Sequence, residues 1–218
     1  MDKNARKIGV WGGTGSGKST RVKELTAKNR RLIVIDPIGD YERESGFTGY
    51  KTLRGLYAAI KKNWNRGFRL VLSVPRGIDP KAKLEQLAND LFLIQKPYYE
   101  GKDHRIITLV IEEMSLCYPE KTLGASERNV MELINLGRHY GIEIIGVSQR
   151  IAEVKKNFVG NASEHYFFRM GAAVDNNAAL RLIGSEHKGA IQSLQDHHYI
   201  HFCQGRVNKG KNNCYFLK

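Results

Sequence analysis

Gly12-Gly13-Thr14-Gly15-Ser16-Gly17-Lys18-Ser19 fits the spacing G-x-x-x-x-G-K-[ST]. Glycines let the backbone curl so that successive N–H groups point inward at phosphate oxygens. Lys18 would reach the β- and γ-phosphates of a nucleoside triphosphate, and the Ser19 hydroxyl would ligate Mg²⁺. Such a loop needs a strand before it and a helix after it. The apolar run 8–11 and the segment 20–28, which opens at Thr20, supply both. The helix adds the positive end of its dipole. A glycine-rich turn with a chance lysine does not account for that context.

Binding a nucleotide is not hydrolysing it. The second requirement is an acid at the end of an apolar strand, and the run 105–111 ends in Glu112-Glu113. One carboxylate would hold Mg²⁺ through its water shell, the other would orient and deprotonate the attacking water. Glu112 is assigned to the metal with Ser19, and Glu113 to the water. The usual first acid of this motif is Asp, and the longer Glu112 leaves open which glutamate meets the metal shell. Without the phosphate loop, a solvated pair of acids at a strand exit would be the better reading.

Gln149 ends the neighbouring run 142–147. A neutral amide there can hydrogen-bond the γ-phosphate or the water; the alternative is a polar residue at a helix start. Arg138 follows Gly137 just before the same run. It could point across a subunit interface and stabilise transition-state charge on a neighbour's nucleotide. On residue chemistry alone, an ordinary surface arginine is as good a reading, and Arg150 competes for the role. His139, His165, His187, His197, His198 and His201 show no metal-ligand spacing.

These groups need a scaffold that brings strand ends together. Apolar runs at 8–11, 31–35, 68–74, 105–111, 142–147, 166–170 and 198–203 read as strands. The second stops at Asp36-Pro37, ahead of Gly39-Asp40-Tyr41, where proline and glycine turn the chain. Leu53, Leu56, Tyr57, Ile60 and Trp64 recur at helical spacing and Gly67 closes that helix. Asp79-Pro80 is an N-cap with a first-turn proline, ahead of a stripe of Leu84, Leu87, Ala88, Leu91 and Ile94. The segment 125–140 predicts a helix with Val130, Leu133, Ile134 and Gly137 on one face; 175–183 and 187–194 predict two short ones. Strands alternating with helices imply an α/β fold with a mostly parallel sheet and right-handed crossovers. Ligands then sit at the carboxyl ends of the strands. The phosphate loop, Glu112-Glu113 and Gln149 all fall at such ends.

The chain has 218 residues, enough for one core. The expected division is one domain over 1–204 and a basic tail over 205–218, with Arg206, Lys209, Lys211 and Lys218. Lys plus Arg number 35 against 22 Asp plus Glu, a net charge of +13. That excess suggests a polyanionic partner, nucleic acid first; a basic surface serving only solubility is the alternative. No apolar run reaches the length of a membrane span, and residues 1–7 lack a signal-peptide core. Cys117, Cys203 and Cys214 have no metal or redox spacing and read as reduced thiols in a cytoplasmic compartment.

The ordered set resembles the HerA/FtsK superfamily of DNA-pumping ATPases over residues 7–202. It comprises the phosphate loop, Val34-Ile35-Asp36-Pro37 with Gly39-Asp40-Tyr41, Val110-Ile111-Glu112-Glu113, and Gly137-Arg138-His139-Tyr140-Gly141-Ile142 leading to Val147-Ser148-Gln149-Arg150. The small size resembles its viral branch, the genome-packaging ATPases of tectivirus-like, membrane-containing viruses. The resemblance implies a RecA-like P-loop core, ATP with Mg²⁺, and a ring, usually a hexamer, around double-stranded DNA. It implies Lys18 and Ser19 at the phosphates and metal, Glu112 and Glu113 at metal and water, Gln149 as sensor, and Arg138 as a finger acting in trans. It places such a chain in the host cytoplasm or at a virion packaging vertex, with a portal or membrane protein as a further partner. Asp36 would lie at the nucleotide's edge or serve the turn. Lys81, Lys83, Arg150, Lys155, Lys156 and the tail are candidates for gripping DNA phosphates.

Other readings compete. A small-molecule or nucleotide kinase on the same core would work as a monomer, need no arginine in trans and gain little from the charge. A small DNA-transfer ATPase of a mobile element shares every feature of the packaging reading. A nucleotide-gated assembly protein without turnover fits poorly with an intact Glu112-Glu113 pair. A GTPase would want an aspartate that Val207-Asn208-Lys209-Gly210 lacks.

Overall fold

The computed structural model describes residues 5–41, 44–121 and 127–213. Among the described residues, nine strands form one sheet: β1 (Lys7–Trp11), β2 (Arg31–Asp36), β3 (Thr48–Tyr50), β4 (Phe68–Ser73), β5 (Ile107–Ile111), β6 (Ile142–Ser148), β7 (Glu164–Phe167), β8 (His198–Cys203) and β9 (Arg206–Lys211). Their order is β3-β4-β2-β5-β6-β1-β7-β8-β9. The pairs from β3 to β7 are parallel, and β8 and β9 close one edge antiparallel. Every residue of β2, β5 and β6 is buried, because helices cover both faces; that is why these strands read as unbroken apolar runs.

The helices are α1 (Lys18–Thr26), α2 (Leu53–Asn63), α3 (Pro80–Ile94), α4 (Lys96–Tyr99), α5 (Met114–Cys117), α6 (Arg128–Leu136), α7 (Lys156–Asn161), α8 (Ala173–Ile183) and α9 (Lys188–Gln192). Two start as the sequence requires. Asp79 accepts from Lys81 N with Pro80 in the first turn of α3, and Thr52 accepts from Gly55 N ahead of α2. Alternation along the strands splits the core. Ile33, Ile35, Leu109, Ile111 and Ile144 meet Leu56, Leu84 and Leu133 on one face. Leu32, Val34, Val110, Ile145 and Val147 meet Val22 and Phe168 on the other. No described helix is long and apolar enough to cross a membrane.

Four expectations shift. The strand expected at 166–170 is β7, which begins at Glu164 because its register is set by β1, from Ile8↔Glu164 to Trp11↔Phe167. The helix expected over 125–140 is α-helical only from Arg128 to Leu136 and tightens into a 3₁₀ turn, Gly137–Tyr140; Ala125 lies outside the described residues. The short edge strand β3 has no counterpart in the sequence reading. The basic stretch after residue 204 is part of the sheet as far as Lys211. Gln204 and Gly205 both take positive φ (50° and 73°), as a two-residue hairpin turn of type I′ demands, and Arg206–Lys211 pairs back on β8. Cys214 and Lys218 lie outside the described residues.

Candidate active site

The phosphate loop leaves β1 at the carboxyl edge of the sheet, between two neighbours. Gly12 N donates to Ser148 O at the end of β6 (3.3 Å), and Gly13 N donates to Arg169 O just past β7 (2.8 Å). Gly15 and Gly17 take φ of 72° and 108°, a region that residues with a β-carbon avoid. Lys18, Ser19 and Thr20 then form the first turn of α1. The Lys18 ammonium donates to Gly13 O at 3.0 Å. Burial pulls its pKa down, while the nearby carboxylates of Glu113, Glu112 and Asp40 act the other way.

The two glutamates after β5 sit in different environments. Glu112 is 3% exposed. Its Oε1 and the Tyr41 hydroxyl are buried near one another, and neither makes a hydrogen bond of good geometry. Burial pushes the Glu112 carboxyl up to about 8, with Asp36 and Asp40 adding to the rise and Tyr41 and Lys18 opposing it. Glu113 adopts a left-handed backbone (φ 40°), a strained state that persists where surrounding contacts fix it. Those contacts converge on Glu113 Oε1: Ser148 Oγ and Ser115 Oγ donate at 2.8 Å, and Gln149 N at 3.3 Å. Gln149 Oε1 in turn accepts from Thr14 Oγ1 at 2.8 Å. Glu113, Gln149 and the tip of the loop are therefore linked across three adjacent strand ends.

The oxygens present suit a hard divalent cation. The exposed Ser19 hydroxyl and the buried Glu112 Oε1 are the oxygens that could serve as its donors. No group of three or more His, Cys, Asp and Glu forms a metal cage among the described residues. Mg²⁺ is commonly held this way, by one or two carboxylates together with substrate phosphates.

The remaining sequence candidates divide. Asp36 serves the turn: its carboxylate accepts from Ile38 N (3.1 Å), Gly39 N (2.8 Å) and Tyr41 N (2.8 Å). Arg150 is tied within its own chain to the buried Asp175 (2.8 Å) and to Glu153 (3.1 Å). Lys81 pairs with Asp79, Lys155 with Glu127 and Lys156 with Glu120. Arg138 is exposed at the opposite, amino-terminal edge of the sheet, in the turn before β6. There it lines a cavity of about 640 Å³ with Arg6, Lys7, Asn161 and Glu164. Lys7 opens the five-residue strand β1 and the phosphate loop follows its other end, so about 13 Å of strand separates Arg138 from its own chain's loop. Ser115, Ser148, Asp40 and Tyr41 were missed as site residues. Asp40, Tyr41 and Ser148 lay within noted motifs, but the contact of Ser148 with Glu113 shows only once the strands are in register; Ser115 carried no signal.

Residues 3–116 match the family described as the helicase HerA, central domain. The fold is similar to that of the genome packaging NTPase B204 from Sulfolobus turreted icosahedral virus 2, solved with AMPPCP. The TM-score is 0.73 at 17% identity, over 96% of this chain and 98% of that one. It is also similar to VirB4 of Thermoanaerobacter pseudethanolicus, with a TM-score of 0.63 at 12% identity over 97% of this chain and 91% of that one. Uridine kinase from Clostridium botulinum strain 657 is 28% identical over 134 residues, 59% of this chain, and the chain spans 58% of that relative's length.

Proposed function

The chain belongs to the family described as the helicase HerA, central domain, and from this premise we propose that it is a P-loop ATPase that couples ATP hydrolysis to the movement of double-stranded DNA through a ring of its own copies, as in viral genome packaging. The observation that carries the reading is the position of Arg138. It is exposed, at the far end of the sheet from its own phosphate loop, beside Arg6 and Lys7. An arginine there has no use at its own nucleotide and a direct one at a neighbour's, where it would stabilise charge on the transferring phosphoryl group. The net charge of +13 fits a sequence-independent grip on DNA phosphates. The fold shared with a packaging NTPase agrees with it.

In this reading the loop N–H groups and Lys18 cradle the polyphosphate. Ser19 and Glu112 would hold Mg²⁺, which would supply charge neutralisation of the polyphosphate. Glu113, fixed through Oε1 by Ser148 and Gln149 N, takes the proton of the attacking water. Gln149, joined to Thr14, senses the γ-phosphate. The ring, hexameric by resemblance, would stand at a packaging vertex against a portal or membrane protein. The test is ATP hydrolysis with and without long double-stranded DNA, with mass determined in parallel. Turnover by an oligomer, raised by DNA, is expected. The uridine kinase relatives favour a second reading, a nucleoside kinase. A monomer indifferent to DNA that phosphorylates uridine would replace the motor with that kinase.

A further inference from the structure

The β8–β9 hairpin begins and ends against the phosphate loop. His197, just before β8, donates its backbone N–H to Ser16 O at 2.7 Å. Asn212, just after β9, donates Nδ2 to Gly17 O at 2.7 Å and its backbone N–H to His197 O at 2.9 Å. The next residue, Asn213, donates its N–H to Glu24 in α1. The two ends of the hairpin are thus tied to each other and to consecutive carbonyls of the loop. Asn212 is only 4% exposed, and Asn212 Oδ1 and His197 Nδ1 are buried without partners. His197 also takes a left-handed backbone, φ 63°, which residues with a β-carbon avoid. Two unsatisfied polar atoms and one strained residue are an unusual concentration for a surface hairpin.

The geometry gives this arrangement a use. A trans peptide sets each carbonyl opposite the N–H of the following residue. Among the described residues, Ser16 O is held by the hairpin alone, and Gly17 O by Asn212 together with Arg21 N of α1 at 3.1 Å; holding both carbonyls on that side turns the N–H groups of Gly17 and Lys18 away from it. Those are donors that a phosphate loop offers to its ligand. The fit is close: a β-carbon on Gly17 would lie 2.7 Å from Asn212 Nδ2 and 2.8 Å from His197 Nδ1. We propose that His197 and Asn212 are positioning residues of the phosphate loop, and that the carboxyl-terminal hairpin presets the Gly17 and Lys18 N–H groups for a polyphosphate. The inference rests on nucleotide binding at this loop and on neither DNA nor the ring. Preset donors bind more tightly because less ordering remains to be done on binding.

The test is calorimetric titration with ADP, together with ATP KM, kcat and melting temperature, on the full chain and three variants. Asn212→Ala removes the donor. Asn212→Asp keeps the shape but has no N–H to give. Val207→Ala trims the hairpin within β9 without touching the loop. Both Asn212 variants are expected to bind ADP about three- to tenfold more weakly, the size of one net hydrogen bond, with ATP KM raised and kcat little changed. Val207→Ala is expected to lower the melting temperature and leave ADP affinity alone. Wild-type affinity in Asn212→Asp, or equal weakening by Val207→Ala, would overturn the proposal. The Asn212 effect in a protein with no DNA-dependent turnover would support it while sinking the translocase reading.

Discussion

Lowering the pH from 7 to 4 is expected to cost the fold about 3 kcal/mol through His165 alone. His165 lies on β7 opposite Gly9 of β1 and is 2% exposed. Its Nδ1 accepts from Trp11 Nε1 at 3.0 Å, so the ring's proton belongs on Nε2. The ring stacks on Phe167 at 5.6 Å between centroids. A second proton at Nδ1 would set two donors face to face beside the residue that leads into the phosphate loop. Burial pushes the imidazole down to about 4 from its ordinary 6.5. Because the folded value is the lower one, the unfolded chain takes up the proton first as pH falls. Stability is therefore intact above about pH 6.5, declines by about 1.4 kcal/mol per unit down to about pH 4, and levels off below. Urea unfolding of wild type and His165→Gln across that range isolates the effect, since glutamine keeps an acceptor for Trp11 and does not titrate. The stability difference between the two should change by about 2 kcal/mol from pH 6.5 to 5. Parallel curves would refute a buried, neutral His165.

Glu113→Gln keeps the shape and removes the base; turnover should fall by about 10² to 10⁴ with ADP binding retained, read by steady-state kinetics and titration. Gly146→Ala would place a β-carbon 2.4 Å from Met114 Sδ and 2.7 Å from Phe158, so urea unfolding should report a loss of about 1–3 kcal/mol. DNA binding measured by fluorescence anisotropy should be alike for unrelated sequences and fall steeply with added salt, the mark of phosphate contacts; a flat salt response would contradict a cationic channel.

The strands from β1 to β6 were legible, apart from β3, because each is an apolar run long enough to be buried on both faces. The phosphate loop was legible because its chemistry is local. Thr48–Tyr50 hid because three residues containing a glycine carry no periodicity, and they pair only because β4 offers an open edge. β9 hid because an edge strand keeps its charges outward; Arg206, Lys209 and Lys211 read as a tail until β8 paired with them. The support of Glu113 was illegible for a different reason. Ser148 is 35 residues away and comes level only through the β5–β6 register, Ile111 opposite Gly146. Asn212 reaches Gly17 across 195 residues, which no spacing rule detects. Arg138 could be placed in advance, since a residue just before a parallel strand sits at the amino-terminal edge.

The central claim is that hydrolysis is completed by a neighbour's Arg138. The most direct measurement is ATPase activity in mixtures of Arg138→Ala and Lys18→Ala chains, each expected to be inactive alone. An Arg138→Ala chain keeps its loop, and a Lys18→Ala chain keeps its arginine. Mixed rings should recover part of the wild-type rate, rising to a maximum near equal proportions. Full activity of Arg138→Ala alone, or no recovery in mixtures that assemble, would contradict the account.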